Sequence, residues 1–171
     1  MKLLLHICCG PCACYPVEQL QEAGVDFTGY YFNPNIHPID EFERRRENLK
    51  ILSEMKGFPV IYSDAFDQPA WEFFNGEIVE RCRMCYQVRF EEVARKAAEE
   101  GYDAFSTTLL VSPYQRHEMI IEICETLAAQ YGIQFYYEDW RPGFRKGQAM
   151  AKEYGLYRQK YCGCIKSKEY K

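Results

Sequence analysis

MKLLLHICCGPCACYPVEQLQEAGVDFTGYYFNPN, residues 1–35, decides the fold. Leu3–Ile7 is an apolar run of strand length, short for a helix, and reads as a buried strand. Pro11–Ala23 follows as a helix, with a proline in its first turn and Gly24 at its end. Asp26–Phe32 reads as a second strand, and Asn33-Pro34-Asn35 is a turn signal. Strand, helix and strand in this order form a βαβ unit, which implies two parallel strands. The basic then apolar start has some look of a secretion signal. Its apolar run is too short and no small-residue cleavage site precedes Glu18, so it reads as the first strand of a cytoplasmic protein.

The alternation continues outward from that unit. Glu41–Lys56 reads as a helix, with Phe42, Leu49, Leu52 and Met55 on one face and Gly57 and Pro59 stopping it. Pro59–Ser63 is a third strand. Ala70–Glu80 reads as helical, and Cys85–Glu100 as a charged amphipathic helix closed by Gly101. Ala104–Val111 is a β-rich fourth strand, ended by Ser112-Pro113. Arg116–Tyr131 is a helix closed by Gly132, Ile133–Tyr137 a fifth strand, and Gln148–Tyr154 a short last helix. The expectation is a single α/β domain over residues 1–171, Rossmann-like, with a mostly parallel sheet covered by helices on both faces. A cysteine-rich tail, residues 155–171, completes it.

The 171 residues are 47% hydrophobic and 27% charged, which excludes a disordered or fibrous chain. No apolar run approaches the roughly 18 residues of a membrane-spanning helix. The net charge of −4 excludes a uniformly basic nucleic-acid binder. It hides an asymmetry, because residues 141–171 carry nine Lys/Arg against Glu153 and Glu169, leaving −11 on residues 1–140. Phe144, Tyr154, Tyr157, Tyr161 and Tyr170 are interleaved with those cations. Cations with flat rings suit phosphates and unstacked bases, so the tail points to RNA, or else is a solvated basic surface balancing an acidic body.

Nine cysteines are many for a cytoplasmic chain, and they are clustered. Cys8, Cys9, Cys12 and Cys14 lie in HICCGPCAC, Cys82 and Cys85 in RCRMC, and Cys162 and Cys164 in YCGC. In a parallel sheet the strands end on one edge, where the covering helices begin and ligands bind. Cys8 and Cys9 follow the first strand, and Cys82 and Cys85 mark a helix start. The seven residue steps from Gly155 to Cys162 reach up to ~23 Å, enough to return the tail to that edge. Disulfides do not suit a reducing compartment. Spacing alone leaves both an iron–sulfur cluster and zinc open, with thiols to spare for a second, single metal. Cys124, on an apolar helix, reads as a core residue, and Cys14 as core or an outer ligand.

These motifs together resemble the epoxyqueuosine reductases of the QueH type, nearly end to end. They are HICCGPC at 6–12, YFNPNIHPIDEFERR at 31–45, RCRMCYQVR at 81–89, STTLLVSPY at 106–114 and LYRQKYCGCIKS at 156–167. The resemblance implies the fold of the adenine nucleotide alpha-hydrolase superfamily. It implies reduction of epoxyqueuosine to queuosine at the wobble position of tRNA, the last step of queuosine biosynthesis. It also implies a [4Fe-4S] cluster without cobalamin. Cys8, Cys9, Cys82, Cys85, Cys162 and Cys164 occupy family cysteine positions, and Cys12 sits where members carry cysteine or aspartate.

On that footing Cys9, Cys82, Cys85 and one of Cys162 and Cys164 are assigned to the cluster. Cys8, Cys12 and the other tail cysteine would hold an adjacent iron or zinc. Removing an epoxide oxygen takes two electrons, which no side chain supplies, so an electron donor protein or small reductant is implied. A second metal could act as a Lewis acid on the oxygen. Arg158 and Gln159 are candidate catalytic contacts to the modified base or its phosphate, or else pin the tail. His37 is a candidate proton donor. Asn33 and Asn35, with Tyr114 and Tyr157, are candidate substrate contacts, and Arg141, Arg145 and Lys146 candidate contacts to the anticodon loop. His6 reads as a satisfied core histidine. Two rivals remain, an ATP-dependent iron–sulfur tRNA thiolation enzyme and a non-catalytic zinc module that binds RNA. The first is disfavoured by CCGPC standing where a Gly/Ser-rich phosphate loop would be.

Overall fold

The computed structural model describes residues 1–168; Glu169, Tyr170 and Lys171 of the basic tail lie outside the described residues. Five strands, β1 (Lys2–His6), β2 (Asp26–Tyr31), β3 (Val60–Tyr62), β4 (Ala104–Thr107) and β5 (Gln134–Phe135), form one sheet in the order β3-β2-β1-β4-β5. Every pairing is parallel, with Leu4 opposite Thr28 on one side and Phe105 on the other. The chain winds outward from β1 in both directions, so the switch point lies between β1 and β4, where α/β folds bind ligands. Leu3, Leu4, Leu5 and Phe105 are fully buried because both faces are covered.

Helices α1 (Gly10–Glu22), α2 (Ile39–Lys56) and α6 (Phe144–Glu153) pack together, and α4 (Ile78–Glu99) packs on α5 (His117–Tyr131). Two four-residue helices, α3 (Pro69–Glu72) and α7 (Ile165–Lys168), meet beside them. Among the described residues no helix is long and apolar enough to cross a membrane. Along α2, Phe42, Leu49 and Leu52 face the core, whereas Met55 is half exposed in the last turn. Glu41 and Arg45, by contrast, are buried on this helix.

Three departures from the sequence reading bear on the site. The expected helix over Ala70–Glu80 is broken after Glu72 and restarts at Ile78. Asn75-Gly76 lies in the break, where a side chain at 76 would be crowded: a Cβ on Gly76 would lie 2.7 Å from a Glu80 carboxylate oxygen and 2.8 Å from the Phe74 ring. Cys82 and Cys85 therefore sit inside α4, on neighbouring turns of one face, rather than at its start. The fourth strand ends at Thr107, whose hydroxyl accepts the Leu109 N–H at 3.2 Å and turns β-rich Thr108–Val111 into a 3-10 helix. Finally α6 begins at Phe144, four residues earlier than expected, after a 3-10 turn at Arg141–Gly143.

Candidate metal centre

The first thiols follow directly from the way β1 ends. Cys9 is the extended residue capping α1, so Cys8, Cys9 and Cys12 gather at that helix's N-terminus, where backbone N–H groups favour anions. Their sulfurs lie within 4.8 Å of one another, Cys8 and Cys9 being 3.7 Å apart. Hydrogen bonding with Cys12 and Cys9 draws the Cys8 thiol well below its ordinary range. Burial pushes Cys9 up, and the bond to Cys8 pushes Cys12 up. Thr108 adds a hydroxyl 3.9 Å from the Cys8 sulfur, and Gln159 donates its amide N–H to Cys12 at 3.3 Å.

A second set lines one narrow cleft: Cys82 and Cys85 from α4, and Cys162 and Cys164 from the returning tail. Trp71, Cys85 and Cys164 pack together there, with Met84 against them. The Cys164 thiol draws Cys162 down to about 6, while Cys162 pushes Cys164 up. Burial pushes Cys85 up, against Arg89 and the Trp71 indole. The Arg89 guanidinium donates to the Cys85 sulfur at 3.2 Å. The indole N–H of Trp71 is buried and has no oxygen or nitrogen partner among the described residues. Asn35, also in this cleft, has an equally unpartnered side-chain oxygen.

Cys162 joins the two sets. Exposed itself, it lines the narrow cleft and also a cavity of about 430 Å³ whose walls include Cys8, Cys12, Tyr114, Phe144 and Gln159. Tyr114 is 84% exposed at that cavity and meets Phe144 edge to face, their centroids 5.7 Å apart.

The tail is held against α2 and the loop before it. Arg45 reaches three acceptors at once: Glu41 at 2.8 Å, the Cys162 carbonyl at 2.9 Å and the Tyr161 carbonyl at 2.8 Å. His37 donates its backbone N–H to the Gly163 carbonyl, and its own carbonyl accepts the Tyr161 hydroxyl. Its ring accepts the Ile165 N–H on Nδ1 at 3.0 Å, and Nε2–H donates to the Pro34 and Asp67 carbonyls.

The candidate residues of the sequence reading therefore separate. Cys8, Cys9, Cys12, Cys82, Cys85, Cys162, Cys164, Tyr114, Gln159 and Asn35 border the thiol-lined spaces. The grouping differs from the expected assignment, since Cys9 stands with Cys8 and Cys12, and both tail cysteines line the cleft of Cys82 and Cys85. His37 lines neither space, and its two ring nitrogens are engaged with backbone. Asn33 is turned into the core, bonding the Ile7 carbonyl and His6. His6 is satisfied there, with Thr107 on its other nitrogen. Tyr157 bonds Glu41 through its hydroxyl and Asn48 through its N–H. Arg141 pairs with Asp139 and Lys146 with Glu18, whereas Arg145 and Arg158 are exposed. Cys14 bonds the Gly10 carbonyl and Cys124 is fully buried, both away from the two sets.

Arg45, Glu41, Trp71 and Arg89 were missed by the sequence reading. The Glu41–Arg45 pair four apart amid apolar α2 positions, and Arg89 four after Cys85, were the available signals.

Chemically, the two sets differ in spread. A tetrahedral ion with ~2.3 Å bonds to sulfur brings its thiolates to about 3.8 Å from one another, which suits Cys8, Cys9 and Cys12. Among the described residues only those three form so tight a group. The wider set of four thiols suits a polynuclear cluster.

A family model for the epoxyqueuosine reductase QueH matches residues 3–170. The epoxyqueuosine reductase QueH of Dehalococcoides mccartyi is 38% identical, over 97% of this chain and 92% of its own length. That of Thermotoga maritima is 33% identical, over 95% and 88%. Among solved structures, a teicoplanin-pathway deacetylase has a TM-score of 0.56 at 9% identity, covering 90% of this chain and 83% of its own. A "predicted subunit of tRNA methyltransferase" from Methanocaldococcus jannaschii has 0.55 at 13% identity, covering 91% and 89%. At such identities these two share the fold.

Proposed function

The chain belongs to the epoxyqueuosine reductase QueH family, and we propose that it removes the epoxide oxygen of epoxyqueuosine in tRNA at a centre built from its two cysteine sets. The observation that carries this reading is the convergence of seven thiols, from three remote segments, on the carboxyl edge of the sheet beside one open cavity. The reaction consumes two electrons and two protons. Both C–O bonds of the epoxide break, a C=C bond forms, and the oxygen leaves as water.

The donor set fits a metal cofactor: seven sulfurs, most of them buried. Cys82, Cys85, Cys162 and Cys164 would hold a [4Fe-4S] cluster, and Cys8, Cys9 and Cys12 a single iron or zinc. When bound, these groups would supply electrons singly and a Lewis acid for the oxygen, with no need of cobalamin. An electron donor, protein or small molecule, must replenish them.

The chain's own residues do the rest. Tyr114 and Phe144 offer the flat apolar faces on which a splayed-out nucleobase stacks. Gln115, Gln148 and Gln159 line the same cavity and supply amide donors and acceptors for its edge. Gln159 is tied to Cys12, so a base read by this amide lies next to the three-thiol set. Arg145, Arg158 and Lys160 are exposed and available to the anticodon-loop phosphates.

The test is iron, acid-labile sulfide and zinc on anaerobically purified protein, followed by turnover of epoxyqueuosine-containing tRNA with a chemical reductant. About four sulfides with four or five irons per chain, and turnover without ATP, are expected. Zinc without sulfide, persisting after anaerobic reconstitution, overturns the reading. Turnover that requires ATP favours the thiolation rival.

A further inference from the structure

Arg89 is 4% exposed and lies one turn after Cys85 on α4. Its guanidinium bonds the Cys85 sulfur at 3.2 Å and the Cys85 carbonyl at 3.3 Å, and it stands over the Tyr86 ring at 5.6 Å. Among the described residues no carboxylate pairs with it. Arg45, equally buried, shows how this chain otherwise treats such a charge: Glu41 meets it at 2.8 Å and two carbonyls complete the fork. A guanidinium taken out of water without a counter-charge is strongly disfavoured.

The groups within its reach that can carry negative charge are the thiols of the cleft it borders, Cys82, Cys85, Cys162 and Cys164.

We propose that Arg89 is the built-in counter-charge of the metal–thiolate assembly at Cys82, Cys85, Cys162 and Cys164, a positioning residue that makes the assembly easier to reduce. The inference rests on the metal-centre reading above. Gathering several thiolates and their metals in one buried place builds up negative charge, and each added electron increases it. A fixed cation at the boundary offsets both costs.

The counter-charge role has a consequence that a packing role lacks. In the metal-free chain the cation is a liability, so a neutral side chain of similar volume is tolerated or stabilising there. In the loaded protein the same change weakens metal retention and disfavours the reduced state.

The experiment compares wild type, Arg89→Met and Arg89→Lys, all anaerobic. It measures the melting temperature of the metal-free chains, cobalt(II) affinity by thiolate absorption, and the midpoint potential after iron–sulfide reconstitution. Metal-free Arg89→Met is expected to melt no lower than wild type, and to bind cobalt(II) about tenfold more weakly or worse. Arg89→Lys keeps the charge and retains affinity nearer to wild type. Reconstituted Arg89→Met has a more negative potential. Failure of Arg89→Met to fold, or wild-type cobalt affinity in it, overturns the proposal. If wild type itself takes up neither iron nor sulfide, the reductase reading falls, while the cobalt comparison still decides the role of Arg89.

Discussion

The Nδ1 nitrogen of His37 accepts the backbone N–H of Ile165 at 3.0 Å, tying the loop after β2 to the residue that follows Cys164. Nδ1 can accept only in the neutral ring, with the proton on Nε2 facing two carbonyls. Burial draws His37 below its ordinary value of 6.5. A histidine whose folded value is depressed takes up its proton more readily when unfolded. Stability therefore falls as the pH drops from about 6.5 towards the folded value, and is unaffected above it. Thermal melts of the metal-free chain between pH 7.5 and 5 should show this slope. His6 and its partners are left intact in His37→Gln, so the slope in that variant should shrink to the share of His6 and His117, which burial also lowers, and of the Cys8 and Cys162 thiols, which neighbouring thiols draw down.

Arg45 is the strongest single anchor of the tail. Arg45→Ala leaves the buried Glu41 carboxylate with only the Tyr157 hydroxyl and a half-exposed Arg44 at 3.5 Å, and frees the Tyr161 and Cys162 carbonyls. A loss of about 3–5 kcal/mol follows, from the charge left behind. Arg45→Lys should recover little, because an ammonium is a compact point charge and cannot reproduce the three-way fork. Denaturant melts measure the loss, and iron content should fall with it because Cys162 and Cys164 are no longer held.

The two cysteine sets should separate in metal analysis. Cys9→Ser and Cys12→Ser are expected to lose about one metal per chain and keep about four sulfides, while Cys85→Ser and Cys164→Ser lose the sulfide. Loss of sulfide in Cys9→Ser would instead return that residue to the cluster.

Tyr114 is too exposed to matter to the fold, so Tyr114→Ala should leave the melting temperature nearly unchanged. Base stacking is worth about 1–3 kcal/mol, so turnover per unit of tRNA should fall roughly 5- to 100-fold. Tyr114→Phe, which keeps the ring, should restore most of it. Steady-state kinetics on modified tRNA gives the answer.

The cations of the basic segment are not equivalent. Arg141 and Lys146 already face Asp139 and Glu18, whereas Arg145 and Arg158 are exposed. Arg145→Gln and Arg158→Gln should each weaken tRNA binding and reduce the slope of log affinity against log salt by about 0.7–0.9. Arg141→Gln should change it less. Unchanged slopes in both exposed variants would move the RNA surface elsewhere.

Much of the scaffold was legible because it depends on local pattern. The apolar run at Leu3–Leu5, Gly24 and Gly57 after their helices, and strand–helix alternation sufficed for a parallel sheet. The direction of its strands then brought the cysteine segments to one edge. What escaped depends on partners far along the chain. Thr107 ends β4 by capping its own successor, against the β-rich composition around it. The grouping of Cys9 with Cys8 and Cys12 is set by the first turn of α1, and periodicity carries no sign of which thiols share a space. His37 and Arg45 serve as anchors because residues more than a hundred positions away offer them carbonyls and an N–H. Arg89 reads in the sequence as one more charge on an amphipathic helix, and only the structure shows that no carboxylate among the described residues meets it.

The return of the tail to the cysteine edge also governs how the protein can be handled. Lys2 opens β1 at the amino edge of the sheet, across the domain from the thiols, while Ile165–Lys168 lie just past Cys164. A run of histidines placed directly after Lys168 would be tethered within a few residues of Cys164 and would compete with the metal ligands for iron or zinc. An affinity handle belongs ahead of β1, and metal stoichiometries measured with histidines beside the tail report on those histidines as well as on the cysteines.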